Sequence, residues 1–167
     1  MTGVLLVGGA SSRFGSPKAL AQLAGETLAA RAWHLLGETC EERIAVGKAA
    51  DELPLPFPIV DDGSPVRAPI AGVVAGLRAA RNDVCVFLPV DCPLLSAESL
   101  LRLAQAAPAV TPTGPLPGAY ARAALPELER KLSAGDYSLL DVEAVVIDIA
   151  ADELVNVNTE AELRKIG

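Results

Sequence analysis

The sequence has little basic charge, and this scarcity limits what the protein can bind. Its 167 residues carry 14 lysines and arginines against 21 aspartates and glutamates, which gives a formal net charge of −7. Non-specific binding to nucleic acid depends on basic side chains that neutralise phosphates, so we expect none from a chain this acidic. An anionic ligand would have to be held by a few local cations and by backbone N–H groups.

Cysteine pairs, histidine and long apolar runs are also scarce, and each scarcity argues against a class of protein. The three cysteines form no Cys-x-x-Cys pair, which argues against a disulfide framework or a zinc site and fits a reducing compartment. The single histidine, His34, lies off the apolar face of a predicted helix, so we expect a surface residue and no histidine-based triad. Neither a signal peptide nor a membrane-spanning run is recognisable. We therefore expect a cytoplasmic protein that does not bind membranes.

Strand-like and helix-like apolar patterns alternate along most of the chain. Short runs without polar residues, such as Val4–Val7 and Val84–Leu88, are typical of buried parallel strands. Between such runs, apolar residues recur at the one-face spacing of helices. The alternation predicts an α/β fold of three layers, in which helices cover both faces of a mostly parallel central sheet.

Beyond residue 108 the pattern becomes weaker. We predict strands at Val145–Ile149 and Leu154–Val155, and a loop at 112–118. A final helix is predicted after Thr159, which has capping-box spacing to Glu162.

The most unusual segment is LLVGGASSRFGSPKAL at residues 5–20, which places glycines directly after a predicted strand. Ligands of parallel α/β sheets bind at the carboxyl ends of the strands. Glycine lets backbone N–H groups approach phosphate oxygens, while Arg13 offers a bidentate fork and Lys18 a point charge. The glycine spacing matches neither a P-loop nor a dinucleotide-binding fingerprint. The segment still predicts a site for the phosphates of a nucleotide.

The same segment resembles the L-x-G-G-x-S-x-R-x-G-x-x-K signature of nucleotidyltransferases, and most of all that of the molybdenum cofactor guanylyltransferases of the MobA type. Three later segments resemble motifs of this family, in the family's order: Pro69–Gly72, Pro89–Pro93 and Asn156–Thr159. Ala68 and Glu160 depart from the glycine and proline that are usual there. The resemblance implies one domain over residues 1–167, with a nucleotide-binding half at about 1–108 and an acceptor-binding half at about 109–167.

The resemblance also implies a reaction. GMP would pass from GTP to the terminal phosphate of molybdopterin, with Mg²⁺ as the cofactor and pyrophosphate as the leaving group. Because the attacking phosphate is already an anion, positioning and charge neutralisation would be sufficient for catalysis. A monomer or weak homo-oligomer is expected, with transient contacts to other molybdenum cofactor proteins.

Site residues follow from the matched motifs. Arg13, Lys18 and Asp91 would be catalytic, and Asp91, just past a buried strand, would hold Mg²⁺. The predicted nucleotide contacts are Leu6, Val7, Gly8, Gly9, Ala10, Ser11, Ser12, Arg13, Lys18, Asp61, Gly72 and Asp91. The predicted acceptor contacts are Asn156, Asn158 and Arg122, with Arg67 as a further candidate for the acceptor's phosphate. Taken alone, each of these arginines is more simply interpreted as a solvated surface residue.

Several of these residues have a simpler structural interpretation. Asp61 and Asp62 could form only a turn, Asp91 could cap the turn that follows it, and Asn158 could cap the last helix. Cys92 is interpreted as a small buried residue, since Mg²⁺ prefers oxygen.

The activity has alternatives as well. The nearest are a CTP-dependent molybdopterin cytidylyltransferase and another small-molecule nucleotidyltransferase. From a different class, a non-catalytic nucleotide-binding module would predict loss of Arg13, Lys18 or Asp91, and all three are present.

Overall fold

A central sheet and a small hairpin organise the protein in this computed structural model, which describes residues 1–8 and 14–167. The strands are β1 (Thr2–Leu6), β2 (Gln22–Leu23), β3 (Glu26–Thr27), β4 (Glu42–Gly47), β5 (Ile59–Asp61), β6 (Val84–Pro89), β7 (Ala109–Thr111), β8 (Gly114–Ala121) and β9 (Val145–Val146). The helices are α1 (Leu28–Thr39), α2 (Pro69–Ala79), α3 (Ala97–Gln105), α4 (Leu125–Ser133) and α5 (Glu160–Ile166). Short 3₁₀ helices lie at Lys18–Leu20, Ala49–Asp51 and Arg122–Ala124.

The central sheet has seven strands in the order β5-β4-β1-β6-β8-β7-β9 within the described residues. Strand β1 is parallel to both β4 and β6, and β4 is parallel to β5. Strand β8 is antiparallel to its neighbours β6 and β7, while β7 and β9 are parallel. The carboxyl ends of β1, β4, β5 and β6 therefore share one edge of the sheet.

Strand β1 is buried on both faces, and its side chains alternate between two apolar clusters. Leu5 packs in a cluster with residues of α1, α3 and α5, whereas Val4 and Leu6 pack in a second cluster with residues of α2 and α4. Successive residues of a strand point to opposite faces, so the two clusters lie on opposite sides of the sheet. The predicted three-layer α/β fold with a mostly parallel sheet is confirmed.

Side-chain caps fix several helix starts at the predicted residues. The Ser96 hydroxyl accepts a hydrogen bond from the backbone N–H of Ser99 at the start of α3. At α5, Thr159 accepts from the Glu162 N–H, and the Glu162 carboxylate accepts from the Thr159 N–H, which completes the predicted capping box. No described helix is long and apolar enough to cross a bilayer.

The prediction was wrong in part beyond residue 108. The segment predicted as a loop at 112–118 belongs largely to β8, whose glycines and prolines hide its strand character. Its ladder with β6 uses only Gly118–Ala121, so Pro115 and Pro117 lie outside it. Leu154–Val155 is not a strand: Leu154 is buried in a turn. The amphipathic helix α4 was not predicted.

An aromatic stack holds the segment between β4 and β5 against α1. The rings of Trp33 and Phe57 are nearly parallel, with centroids 4.2 Å apart. The Arg43 guanidinium lies 4.4 Å from the Trp33 ring centroid and donates a hydrogen bond to the Trp33 carbonyl. The stack fixes the segment between β4 and β5 at its end next to β5.

Helix α2 approaches the sheet closely at Gly76. A Cβ atom at this position would lie 2.7 Å from Phe87 Cε1 and 2.8 Å from Val4 Cγ1. Gly76→Ala is therefore expected to lower the free energy of unfolding by about 1–3 kcal/mol, although alanine is the better helix former by about 1 kcal/mol. Urea unfolding followed by circular dichroism measures this change.

Gly37 of α1 provides the control, because the atoms nearest to a Cβ there all belong to the exposed guanidinium of Arg43. Moving that guanidinium costs its contacts with Trp33, and the gain in helix propensity offsets this cost. Gly37→Ala should change the unfolding free energy by no more than about 0.5 kcal/mol. An unchanged or increased stability of the Gly76→Ala variant would contradict the close packing of α2.

Candidate active site

A cavity of about 370 Å³ lies where β1, β4 and β6 end and α2 begins. Eight predicted site residues line it: Leu6, Val7, Gly8, Lys18, Arg67, Gly72, Asp91 and Asn156. This is the edge of the sheet at which the sequence places the site. The predicted contacts of Gly9, Ala10, Ser11, Ser12 and Arg13 fall outside the described residues and stay predictions.

Gly72 lets the first turn of α2 lie against the end of β1. A Cβ atom at Gly72 would be 2.8 Å from Leu6 Cδ2, closer than packed side chains come. Any larger residue would push α2 away from β1 or shift Leu6. The two predicted residues therefore form one close-packed wall of the cavity.

Lys18, Asp91 and Asn158 come together from three distant parts of the chain. The Lys18 ammonium donates a hydrogen bond of 2.8 Å to Asn158 Oδ1 and lies 3.6 Å from Asp91 Oδ2. Both charged side chains are mostly buried, with exposed fractions of 16% and 28%. Asn158 thus contacts Lys18 with its side chain, whereas Thr159 is the N-cap of α5.

The segment that carries the two asparagines is also tied to Asp91 and its neighbour. The Val157 N–H donates to the Asp91 carbonyl over 2.8 Å, and the Cys92 thiol donates to Asn156 Oδ1 over 2.9 Å. Burial, reinforced by the charge of Asp91, raises the pKa of the Cys92 thiol far above its usual range. The thiol therefore stays protonated and acts as a donor. Cys92 is buried as predicted, but its bond to Asn156 was not foreseen.

Lys48 is a cavity residue that sequence reasoning missed. Its ammonium lies 2.7 Å from Asp62 Oδ1 and donates to the carbonyls of Ser64 and Val66. The side chains of Lys48 and Asp62 are only 12% and 8% exposed. The one signal that could have found Lys48 is its position directly after β4, at the edge where the ligand is expected.

Asp62, not Asp61, lines the cavity. Asp61 is exposed, and its carboxylate accepts a hydrogen bond from the Ala49 N–H. Asp62 lies behind Gly47, whose carbonyl accepts from the Asp62 N–H. Neighbouring residues at a strand end point to opposite sides, so only one of the two carboxylates faces the cavity, and the predicted residue Asp61 is not the one that does.

Arg122 lies at the opposite edge of the sheet. Its N–H donates to the Asp83 carbonyl, beside the amino end of β6, because β8 runs antiparallel to that strand. The structure therefore does not bring Arg122 together with the cavity residues, and its contact with the acceptor stays a prediction. Arg67 does line the cavity and forms a bidentate ion pair with Asp51 at 2.6 and 3.1 Å.

Two described carboxylates, those of Asp62 and Asp91, line the cavity, and no described histidine does. Among the described residues, no group of three or more His, Cys, Asp or Glu side chains could hold a metal. Mg²⁺ commonly binds through one or two carboxylates together with substrate phosphates and waters, and Asp91 at the cavity suits that mode. His34 is 67% exposed and pairs with Glu26, so it lies on the surface as predicted.

Comparison with known proteins shows which family this arrangement represents. The family model of the MobA-like NTP transferase domain matches residues 3–147. The chain belongs to this family. The predicted family and the predicted class of enzyme, a nucleotidyltransferase, are confirmed.

Two relatives match this MobA-like chain over nearly its whole length, and both are named probable molybdenum cofactor guanylyltransferase. The Rhodopirellula baltica protein is 33% identical, over 98% of this chain and 90% of the relative. The Chloroflexus aggregans protein is 31% identical, over 99% of this chain and 93% of the relative.

Solved structures agree with the fold. A protein of Aquifex aeolicus superposes with a TM-score of 0.78 at 28% identity, covering 95% of this chain and 93% of the other. The molybdopterin-guanine dinucleotide biosynthesis protein A of Archaeoglobus fulgidus gives a TM-score of 0.79 at 23% identity, covering 99% and 96%. At that identity the second likeness shows the fold alone.

The bond between Cys92 and Asn156 can be tested by a double-mutant cycle. Cys92→Ala, Asn156→Ala and the double variant should give a coupling free energy of about 0.5–1.5 kcal/mol, the net contribution of one such hydrogen bond. Unfolding in urea, followed by circular dichroism, measures each corner of the cycle.

A second cycle pairs Cys92→Ala with Lys165→Ala, since Lys165 is exposed on α5. These two changes should add within about 0.3–0.5 kcal/mol. If the Cys92–Asn156 cycle is equally additive, the thiol does not hold the asparagine.

Proposed function

We propose that this chain transfers the GMP group of GTP to the terminal phosphate of molybdopterin, forming a guanine dinucleotide cofactor. One observation carries the proposal: Lys18, Asp91 and Asn158 meet beside a cavity at the carboxyl ends of parallel strands. The names of the two near-full-length relatives supply the substrates.

The reaction needs little from the protein beyond positioning. A terminal phosphate oxygen of the acceptor attacks the α-phosphorus of GTP and forms a new P–O bond. The bond from the α-phosphorus to the bridging oxygen breaks, and pyrophosphate leaves with the electron pair. Since the nucleophile is already ionised, no general base is required. This economy agrees with a described cavity that is lined by lysines and aspartates rather than histidine.

Each cavity residue has a role that fits its placement. Lys18, held at the cavity by Asn158, places a positive charge next to the phosphates. Asp91 would hold Mg²⁺, which when bound neutralises charge on the triphosphate. The Gly9–Arg13 segment would supply backbone N–H groups and a guanidinium to the same phosphates.

The acceptor is proposed to bind beside Asn156 and Arg67. The Asn156 oxygen accepts from the Cys92 thiol, so its amide N–H groups are left to donate to an acceptor phosphate. Arg67 is half-exposed at the cavity, and its guanidinium would exchange the Asp51 carboxylate for a phosphate of the acceptor. Leu116 of β8 also lines the cavity, and β8 belongs to the half of the chain, 109–167, proposed to bind the acceptor.

Calorimetric titration with GTP, CTP, ATP and UTP, each with and without Mg²⁺, tests the nucleotide. GTP is expected to bind at least about tenfold more tightly than the others when Mg²⁺ is present, which corresponds to about 1.4 kcal/mol. Asp91→Asn is expected to abolish the gain from Mg²⁺. Asp148→Asn is the matched control, because Asp148 is exposed and does not line the cavity.

Pyrophosphate release in the presence of GTP and molybdopterin tests the reaction itself. A preference for CTP would leave nucleotidyl transfer as the reaction and would make CTP, not GTP, the substrate. If the protein binds none of the four nucleotides, the proposal is overturned, and the chain is a member of the family without this activity.

A further inference from the structure

Lys48 lies in a cage of oxygens that belong to a single loop. Its ammonium contacts Asp62 Oδ1 at 2.7 Å and the Val66 carbonyl at 2.7 Å, and it also donates to the Ser64 carbonyl. A lysine ammonium has three protons, so three oxygens use its full donor capacity. Lys48 therefore acts on the loop and not directly on a ligand.

The loop at residues 62–68 connects β5 to α2 and forms one side of the cavity. Three of its residues, Asp62, Arg67 and Ala68, line the cavity. In the middle of the loop the hydrogen bonds are internal: Ser64 N–H donates to Asp62 Oδ1, and Val66 N–H donates to the Ser64 hydroxyl. Nearer its two ends, the Asp62 N–H donates to the Gly47 carbonyl and Arg67 pairs with Asp51. Lys48 directly follows β4, so its hydrogen bonds to the Ser64 and Val66 carbonyls connect the middle of this loop to the central sheet.

Lys48 also balances a buried charge. The Asp62 carboxylate is only 8% exposed and lies beside the cavity. Without a cation, it would be an unpaired buried anion next to the place where an anionic nucleotide is proposed to bind, which is unfavourable for both. The ion pair removes that conflict.

We propose that Lys48 is a positioning residue for nucleotide binding: it fixes the 62–68 loop as the cavity wall and compensates Asp62. This inference rests on the proposed function for the identity of the ligand, a nucleoside triphosphate. It concerns the binding step, since the contacts of Lys48 are with the loop and not with the Lys18–Asp91 pair.

Steady-state kinetics of Lys48→Met test the proposal with GTP and Mg²⁺ as the probe. The KM for GTP is expected to rise at least about tenfold, as expected for lost hydrogen bonds to a charged group, while kcat changes by less than about threefold. Lys48→Arg, which keeps the charge and several donors, should recover most of the affinity. Lys165→Met, on the exposed side of α5, should behave as the wild type.

Hydrogen exchange of the ligand-free protein gives a second readout that does not depend on the nucleotide. The amides of Ser64 and Val66 should exchange at least about tenfold faster in Lys48→Met, because the loop opens more often. Faster exchange with a raised KM supports the proposal. An unchanged KM, or a fall confined to kcat, overturns it.

The two proposals fail in different ways. If the wild type binds a different nucleotide, the proposed function is wrong, and the Lys48 variants are compared with the nucleotide that binds. Should Lys48→Met not fold, the double variant Lys48→Met/Asp62→Asn removes the unpaired carboxylate. That variant must still show the raised KM, and a wild-type value overturns the proposal.

Discussion

The hydrogen-bond register of β1 with its two parallel neighbours is the constraint on which the site depends. Leu6, the last residue of β1, is level with Val46 of β4 and with Pro89 of β6. Gly8, Lys48 and Asp91 each lie two residues beyond these partners, so all three reach the same cavity. A shift of β4 or β6 by one residue against β1 would turn the Lys48 or the Asp91 side chain to the other face. The full burial of β1 prevents that shift.

A second constraint comes from the chain after residue 150, which adds no strand to the sheet but completes the cavity. The capping box of Thr159 and Glu162 starts α5 at a fixed residue, and Leu163 anchors the helix in the core. The residues just before the helix then meet Asp91 and Lys18 through one backbone bond and one side-chain bond. A helix cap and the contacts with Lys18 and Asp91 are therefore parts of the same short segment.

The sequence predicted the first half of the fold, and the edge of the sheet where the cavity lies, better than it predicted the second half of the fold. Buried parallel strands such as β1 and β6 have continuous apolar runs, and the polar residues that follow them mark the edge where ligands bind. Strand β8 lacked that signal, because its prolines and glycines disfavour strands and only pairing with β6 and β7 overrides them. Lys48 had no motif around it, and the position of Arg122 at the far edge of the sheet follows from the direction of β8, which local patterns do not reveal. The positions of β8, Lys48 and Arg122 all depend on which strands pair with each other. Local sequence patterns do not show that pairing.

The stack of Trp33 on Phe57 gives this protein a built-in optical probe. Trp33 is the only tryptophan in the sequence, so its indole dominates the intrinsic emission. Its ring is held between Phe57 and the Arg43 guanidinium, and Phe57 belongs to the segment that links Lys48 to Asp62. Emission from unlabelled protein therefore reports on the order of the chain behind the cavity wall, and stopped-flow mixing can follow that order in real time.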